Sequence, residues 1–322
     1  MPNDYWKNNK MVGQNLVLKL MKTLHMHWGN KGSRYMGLYP DGDNMYLTLF
    51  TKKEESFSIV AHDRIKESFM GAETGVLKQY IKKHQLSQVP VILILPKQYY
   101  DIFMLDDFPG EISDKHNAIK WRLAEYLDYP CEEAIVEYLT LPCKNSKPGK
   151  IYALAMQQDN LKACITWARK NNIKLTKIDI WQNAIKNSIL GESPDKGTVI
   201  VKMGCRKSEL VIMRNNEIYF MRDIDVSAKN FKTENTDALA SSYDALSLEI
   251  QRSIDYCASH IRNPGITQIY INPDIENVLN SQKLEGILGL PVYNLALRQW
   301  REQQKIMMPE LIAGSAALGG DI

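Results

Sequence analysis

The sequence predicts an α/β protein of two duplicated lobes, with a subdomain inserted in the first. The order three strands, helix, strand occurs twice, once after residue 33 and again after residue 197. The polar stretch "GESPDKG" at 191–197 reads as the joint between the two runs. A block at about 112–180, with its own helices and strands, interrupts the first run. The predicted division is an opening segment at 1–34, a first lobe at 35–190 and a second lobe at 197–322.

The opening segment repeats Leu16, Leu20, Leu24 and Trp28 at every fourth position, with Val17 and Met21 alongside and Lys19 and Lys22 elsewhere around the turn. That spacing predicts an amphipathic helix with a basic margin over 12–28, ended by Gly29 and Gly32. Two readings stay open. The apolar side packs on the protein's own body or a subunit, or the helix lies in a headgroup layer, where Lys10, Lys19, Lys22, Lys31 and Arg34 favour anionic lipid.

A meander follows. "RYMGLY" and "NMYLTLF" are joined by the turn "PDGD", and "SFSIVA" makes a third strand. A helix with Val76, Leu77, Tyr80 and Ile81 on one side leads to "VPVILILP" at 89–96, an apolar run of buried-strand length. In the inserted block, Ser113 and Asp114 offer a cap to a helix carrying Ile119, Leu123, Tyr126 and Leu127, stopped by Pro130. "AIVEYLTL" reads as a strand, and "IYALAM", a helix opened by Asp159 and Asn160, and "IKLTKIDI" read as strand, helix, strand.

The second lobe opens with "TVIVKMG", "SELVIMR" and "EIYFMRDI", with Asn215 and Asn216 as a hairpin turn between the last two. Leu239, Tyr243, Leu246, Ile250, Ile254, Cys257 and Ile261 step by three or four along one long helix, and Pro264 lies just past its end. Strand "TQIYI", a helix near 275–284 and strand "VYNL" complete the repeat.

Bulk composition bounds the function. With 322 residues, 44% hydrophobic and 24% charged, the chain can bury a core in each of two domains. A net charge of +3 gives a nucleic-acid partner no support. The five scattered cysteines form no CxxC pair, so neither a disulfide framework nor a zinc knuckle is expected. No leader peptide pattern is visible, and no apolar run reaches the roughly 18 residues that span a bilayer.

Three stretches carry a resemblance. "SDKHNAIKWRLAEYLDYPCEEAIVEY", "ALSLEIQRSIDYCASH" and "PELIAGSAALGG" resemble, in turn, the inserted subdomain, the second-lobe helix and the closing helix of pilus-assembly proteins of the PilM-like family, most nearly those of MSHA pili. The resemblance implies the actin-like ATPase (ribonuclease H-like) fold. It also implies a cytoplasmic protein peripheral to a bacterial inner membrane. Such a protein binds the short cytoplasmic tail of a PilN-like single-span partner and joins it to other platform or motor components.

Family members that bind ATP open each half with a hairpin whose loop carries an acid, a spacer and a glycine. The acid helps to hold hydrated Mg²⁺ and the loop amides meet phosphate. In "GLYPD" Tyr39 stands at the acid position and Asp41 at the glycine position, and a slipped register offers Asp41–Gly42 only as a short turn. In the second half Lys202 stands at the acid position, before Gly204. The place of the family's glycine pair reads "INPDIENV", without glycine. A lysine has donors only and supplies no metal ligand.

A degenerate cleft, with no catalytic residues, no metal and no ATP, is therefore expected. The alternatives are weak nucleotide binding through Lys202, Arg206 and Ser208, or an active Mg-ATP enzyme with ligands such as Asp41 or Asp225. A filament-forming relative is a third. His25 and His27 are spaced to splay on a helix, Asp41 and Asp43 lack the rest of a calcium loop, and Asp223 and Asp225 read as an exposed strand edge.

Overall fold

The computed structural model describes residues 33–318 apart from 54–55, 72–74, 109–111, 144–148, 190–194, 274–278 and 295–307. The opening helix expected at 12–28, with His25 and His27, lies outside the described residues.

In the first lobe β1 (Ser33–Asp41), β2 (Asn44–Lys53) and β3 (Ser56–Lys66) form an antiparallel meander. Asp41 lies opposite Asn44, so the "PDGD" turn is a two-residue loop, with Gly42 at φ +57°. Glycine enters that left-handed region without a Cβ penalty. Helix α1 (Val76–Lys83) buries Leu77 and Ile81, and the Glu67 carboxylate accepts the orphan Leu77 N–H at 2.7 Å. The chain then enters β4 (Pro90–Ile94), parallel to β1.

The inserted unit consists of β5 (Asp101–Asp106), α2 (Ile112–Leu123), β6 (Ala134–Thr140) and β7 (Lys150–Gln157), with sheet order β5-β7-β6. Alternation along β6 and β7 puts Ala134, Val136, Ile151, Ala153 and Ala155 beneath Ile119 and Leu123 of α2. The chain returns through α3 (Gln158–Lys170) to β8 (Lys174–Asp179), which pairs in parallel with β4. The insert thus begins earlier and ends earlier than its expected 112–180. β5 escapes the sequence pattern because its four central residues are all half-buried, so its apolar run has no period. β7 and β8 look like one strand–helix–strand unit but belong to different sheets, because α3 buries Leu161, Cys164, Trp167 and Ala168 in the same core as Met36 and Leu38.

Two short helices, α4 (Trp181–Ala184) and α5 (Lys186–Ile189), lead to the second lobe. There β9 (Gly197–Met203), β10 (Ser208–Arg214) and β11 (Glu217–Ile224) form a second meander. Asn215 and Asn216 have φ of +51° and +62°, the pair of left-handed residues a type I′ hairpin requires. Helix α6 (Thr236–Tyr256) is capped by the Asn235 side chain, which accepts from Asp237 N and Ala238 N, and ends in a π-turn at Cys257–Ile261. β12 (Ile266–Pro273), α7 (Ser281–Leu288) and β13 (Val292–Tyr293) follow. The sheet orders are β3-β2-β1-β4-β8 and β11-β10-β9-β12-β13, the same path taken twice.

The last helix, α8 (Met308–Leu318), crosses back to the first sheet and packs on β1, β2 and β4. Leu311, Ile312, Ala313, Ala316 and Ala317 are buried in one cluster with Tyr35 and Phe50 of the first sheet and Ile200 and Leu210 of the second. A Cβ at Gly37 would fall 1.8 Å from the Ala313 carbonyl oxygen, so helix and strand meet backbone to backbone there.

Candidate functional site

The parallel strands of each lobe end where the two lobes meet, the place where open α/β sheets gather their ligands. β1 delivers Tyr39 and Asp41, β9 delivers Lys202, and the turn after β8 delivers Trp181 and Gln182 of α4. In the β9–β10 ladder Lys202 lies directly opposite Glu209. Its ammonium is 2.8 Å from Glu209 Oε1, with the two side chains only 11% and 12% exposed. Glu209 Oε2 accepts the Trp181 indole N–H at 2.7 Å and the Gln182 amide at 2.9 Å. The Gln182 carbonyl in turn accepts from the Tyr100 hydroxyl at 3.4 Å. The Lys202 ammonium sits 5.6 Å from the centre of the Tyr39 ring and 5.4 Å from that of Trp181, within cation–π reach of both.

This is a buried ion pair whose carboxylate accepts three hydrogen bonds, with an aromatic wall on the first-lobe side. Burial alone would raise the Glu209 carboxyl, but the charge and hydrogen bond of Lys202 and the indole of Trp181 outweigh it and hold the group below its ordinary range. Burial pushes the Tyr39 phenol well above its ordinary range against the pull of Lys202, so it stays a neutral hydroxyl. Asp41 is also raised, by burial first, with Lys202 opposing.

Of the residues singled out in the sequence, the structure gathers Tyr39, Asp41 and Lys202 at one place. It does not bring Arg206 or Ser208 into that set. Arg206 is exposed on the 204–207 loop, while Ser208 is buried and donates to the Val226 carbonyl at 2.5 Å. The Gly204 carbonyl accepts from Ala228 N at 2.9 Å, which fixes the base of the loop. Asp225 pairs with Lys207 at 3.2 Å on the surface, away from the Lys202 cluster, whereas Asp223 lies opposite Glu209 in the β10–β11 ladder and pairs at 3.8 Å with Lys97, whose charge also acts on Glu209. The segment read as the place of the glycine pair lies largely outside the described residues, at 274–278.

Glu209, Trp181, Gln182 and Tyr100 were not anticipated. Glu209 carried a signal: with a hairpin closing between Met203 and Ser208, it is the residue forced opposite Lys202. Trp181 carried none, since nothing local tells a core tryptophan from one aimed at a distant carboxylate. The donor set does not fit a hydrated magnesium ion held between phosphates. The positions expected to carry acids hold a neutral phenol and an ammonium, and of the two nearby carboxylates Glu209 already holds that ammonium while burial disfavours the charged form of Asp41. Among the described residues, no group of three or more His, Cys, Asp or Glu is placed to hold a metal ion.

No protein-family model matches the chain, and no curated protein does. Solved structures do. A PilM–PilN type IV pilus biogenesis complex is similar at 17% identity and TM-score 0.68, covering 89% of this chain and 98% of that one. The cytoplasmic domain of EpsL, an inner-membrane component of the type II secretion system of Vibrio cholerae, is similar at 12% identity and TM-score 0.50, covering 88% and 94%. Together with the twice-repeated sheet order, these matches show the actin-like ATPase fold expected from the sequence. No helix among the described residues is long and apolar enough to cross a membrane.

Proposed function

We propose that this chain is a non-catalytic cytoplasmic scaffold of a type IV pilus or related secretion platform. It binds the cytoplasmic tail of a PilN-like inner-membrane protein and links it to other platform or motor components. What supports the non-catalytic reading is the Lys202–Glu209 pair, roofed by Tyr39 and Trp181, at positions where the resemblance leads one to expect acids. The likeness in fold to a PilM–PilN complex and to an EpsL cytoplasmic domain supports the platform role. The three stretches resembling MSHA pilus proteins support the finer assignment to an MshI-like member. In this reading the chain needs neither ATP nor magnesium, and it stays peripheral to the inner membrane, with residues 12–28 contributing membrane contact.

An extended tail suits the fold, because a peptide strand can add to a sheet edge through main-chain bonds. The direct test is binding of a synthetic tail peptide of the neighbouring single-span protein to the full chain by calorimetry. A saturable complex supports the scaffold, and no complex at millimolar peptide overturns it. Catalysis is tested separately. A nucleotide at about 100 times its dissociation constant would stabilise the fold by roughly 2.7 kcal/mol. No change in melting temperature with Mg-ATP is expected, and a clear rise abolished in Lys202→Ala would restore the reading as a nucleotide-using enzyme.

A further inference from the structure

The end of the first lobe opposite the Lys202 cluster is strongly basic. Because β1, β3, β4 and β8 run one way and β2 the other, Ser33, Lys52, Ser56, Pro90 and Lys174 all lie at one end of the sheet. The helices that feed β4 and β8 end there too, with Lys82 and Lys83 in the last turn of α1 and Arg169 and Lys170 in that of α3. The segments 33–36, 51–53, 82–90 and 169–174 contain eight Lys or Arg and no Asp or Glu; Glu54 and Glu55, next in sequence after Lys53, lie outside the described residues. Arg34, Lys82, Lys83, Arg169, Lys170 and Lys174 are exposed. Cations at helix carboxyl ends answer the helix dipole. Arg34 and Lys174 lie on strands, where no dipole calls for them.

Residues 1–32 join the body at this same rim, through Ser33. Their sequence adds Lys10, Lys19, Lys22 and Lys31 beside the four-residue repeat of Leu16, Leu20, Leu24 and Trp28. We propose that this basal rim is a docking surface for an anionic phospholipid bilayer. The inference rests on the peripheral part of the function proposed above, and it adds an orientation. The amino ends of the first-lobe strands face the membrane, and the Lys202 cluster faces away from it.

The test is sedimentation of the full chain with vesicles of phosphatidylcholine alone and with 30% phosphatidylglycerol. Binding is expected only with the anionic lipid and is expected to fall as salt rises. Each cation near such a surface is worth about fivefold in partitioning. The variant Lys82→Gln/Lys83→Gln/Arg169→Gln/Lys174→Gln should therefore lose more than about tenfold after screening. Lys229→Gln/Lys232→Gln, on the second lobe, should bind as the unaltered chain does. Undiminished binding of the rim variant overturns the proposal, as does equal binding to neutral vesicles or a preference for a short DNA duplex at equal phosphate. Tail-peptide affinity of the same variants in lipid-free buffer reports on the platform role alone. Intact tail binding with an unaffected vesicle profile removes the rim and leaves the scaffold.

Discussion

Gly37 and Ala313 touch through their backbones: a Cβ at Gly37 would lie 1.8 Å from the Ala313 carbonyl oxygen and 2.8 Å from the Ala317 nitrogen. Both obstacles are main chain, so no rotamer change relieves the clash. Gly37→Ala should destabilise by about 3 kcal/mol or more, read as a fall in urea midpoint. Gly42, at φ +57° with nothing within 4 Å of its Cβ direction, is the contrast. Gly42→Ala should cost only about 1 kcal/mol, and Gly42→Asn less.

Tyr152 of the insert reaches the edge strand of the second lobe. Its hydroxyl donates to the Met221 carbonyl at 2.7 Å and accepts the Met221 N–H at 2.9 Å. Tyr152→Phe removes both bonds and leaves two buried backbone groups without them, at a cost of about 2–3 kcal/mol. Hydrogen exchange at the Met221 amide should accelerate; an unchanged rate would show that the insert does not hold that edge.

Lys202 and Glu209 should behave as one unit. Lys202→Met leaves a buried carboxylate uncompensated and should cost about 3–5 kcal/mol, whereas Lys202→Met/Glu209→Gln should recover most of that loss. Chemical denaturation of the two single variants and the double variant gives the coupling directly. Additive losses would mean that the pair is not the centre of the cluster.

The same pair sets a response to acid. Glu209 is held below its ordinary value of 4.5, so its contribution is fully present above that value and is lost as pH falls through the lower, folded-state value. Asp41, raised by burial, has the opposite sign: its charged form penalises the fold, and protonation relieves the penalty. Glu209→Gln should flatten the decline in stability below about pH 4.5, and Asp41→Asn should steepen the net decline. Denaturant midpoints measured from pH 7 to 3 test both signs.

Much of the fold was legible because its signals are local. "NN" between two apolar runs specifies a type I′ turn through the conformations asparagine tolerates. The three- and four-residue steps of "LEIQRSIDY" need no tertiary partner to predict a helix. β5 and β8 were harder because sheet membership is decided at a distance. "DIFMLD" is half-buried by contacts from both sides, and "KLTKID" lies beside β4 only because α3 packs on the first-lobe core. In the site, Lys202 and Tyr39 stood out only through the family resemblance, which expects an acid at each of their positions. Glu209 could have been found by counting across the hairpin. Trp181 and Gln182 reach the pair through a turn of chain whose direction no short-range pattern encodes.

The helix that covers the first sheet is spelled out almost at the far end of the described chain, after the whole second lobe. A nascent polypeptide therefore emerges with Tyr35, Tyr46 and Phe50 lacking their apolar cover until residue 318 has been made. The first half cannot mature ahead of the second, and newly made chains depend on prompt completion, or on a chaperone, to keep that aromatic face from finding another molecule.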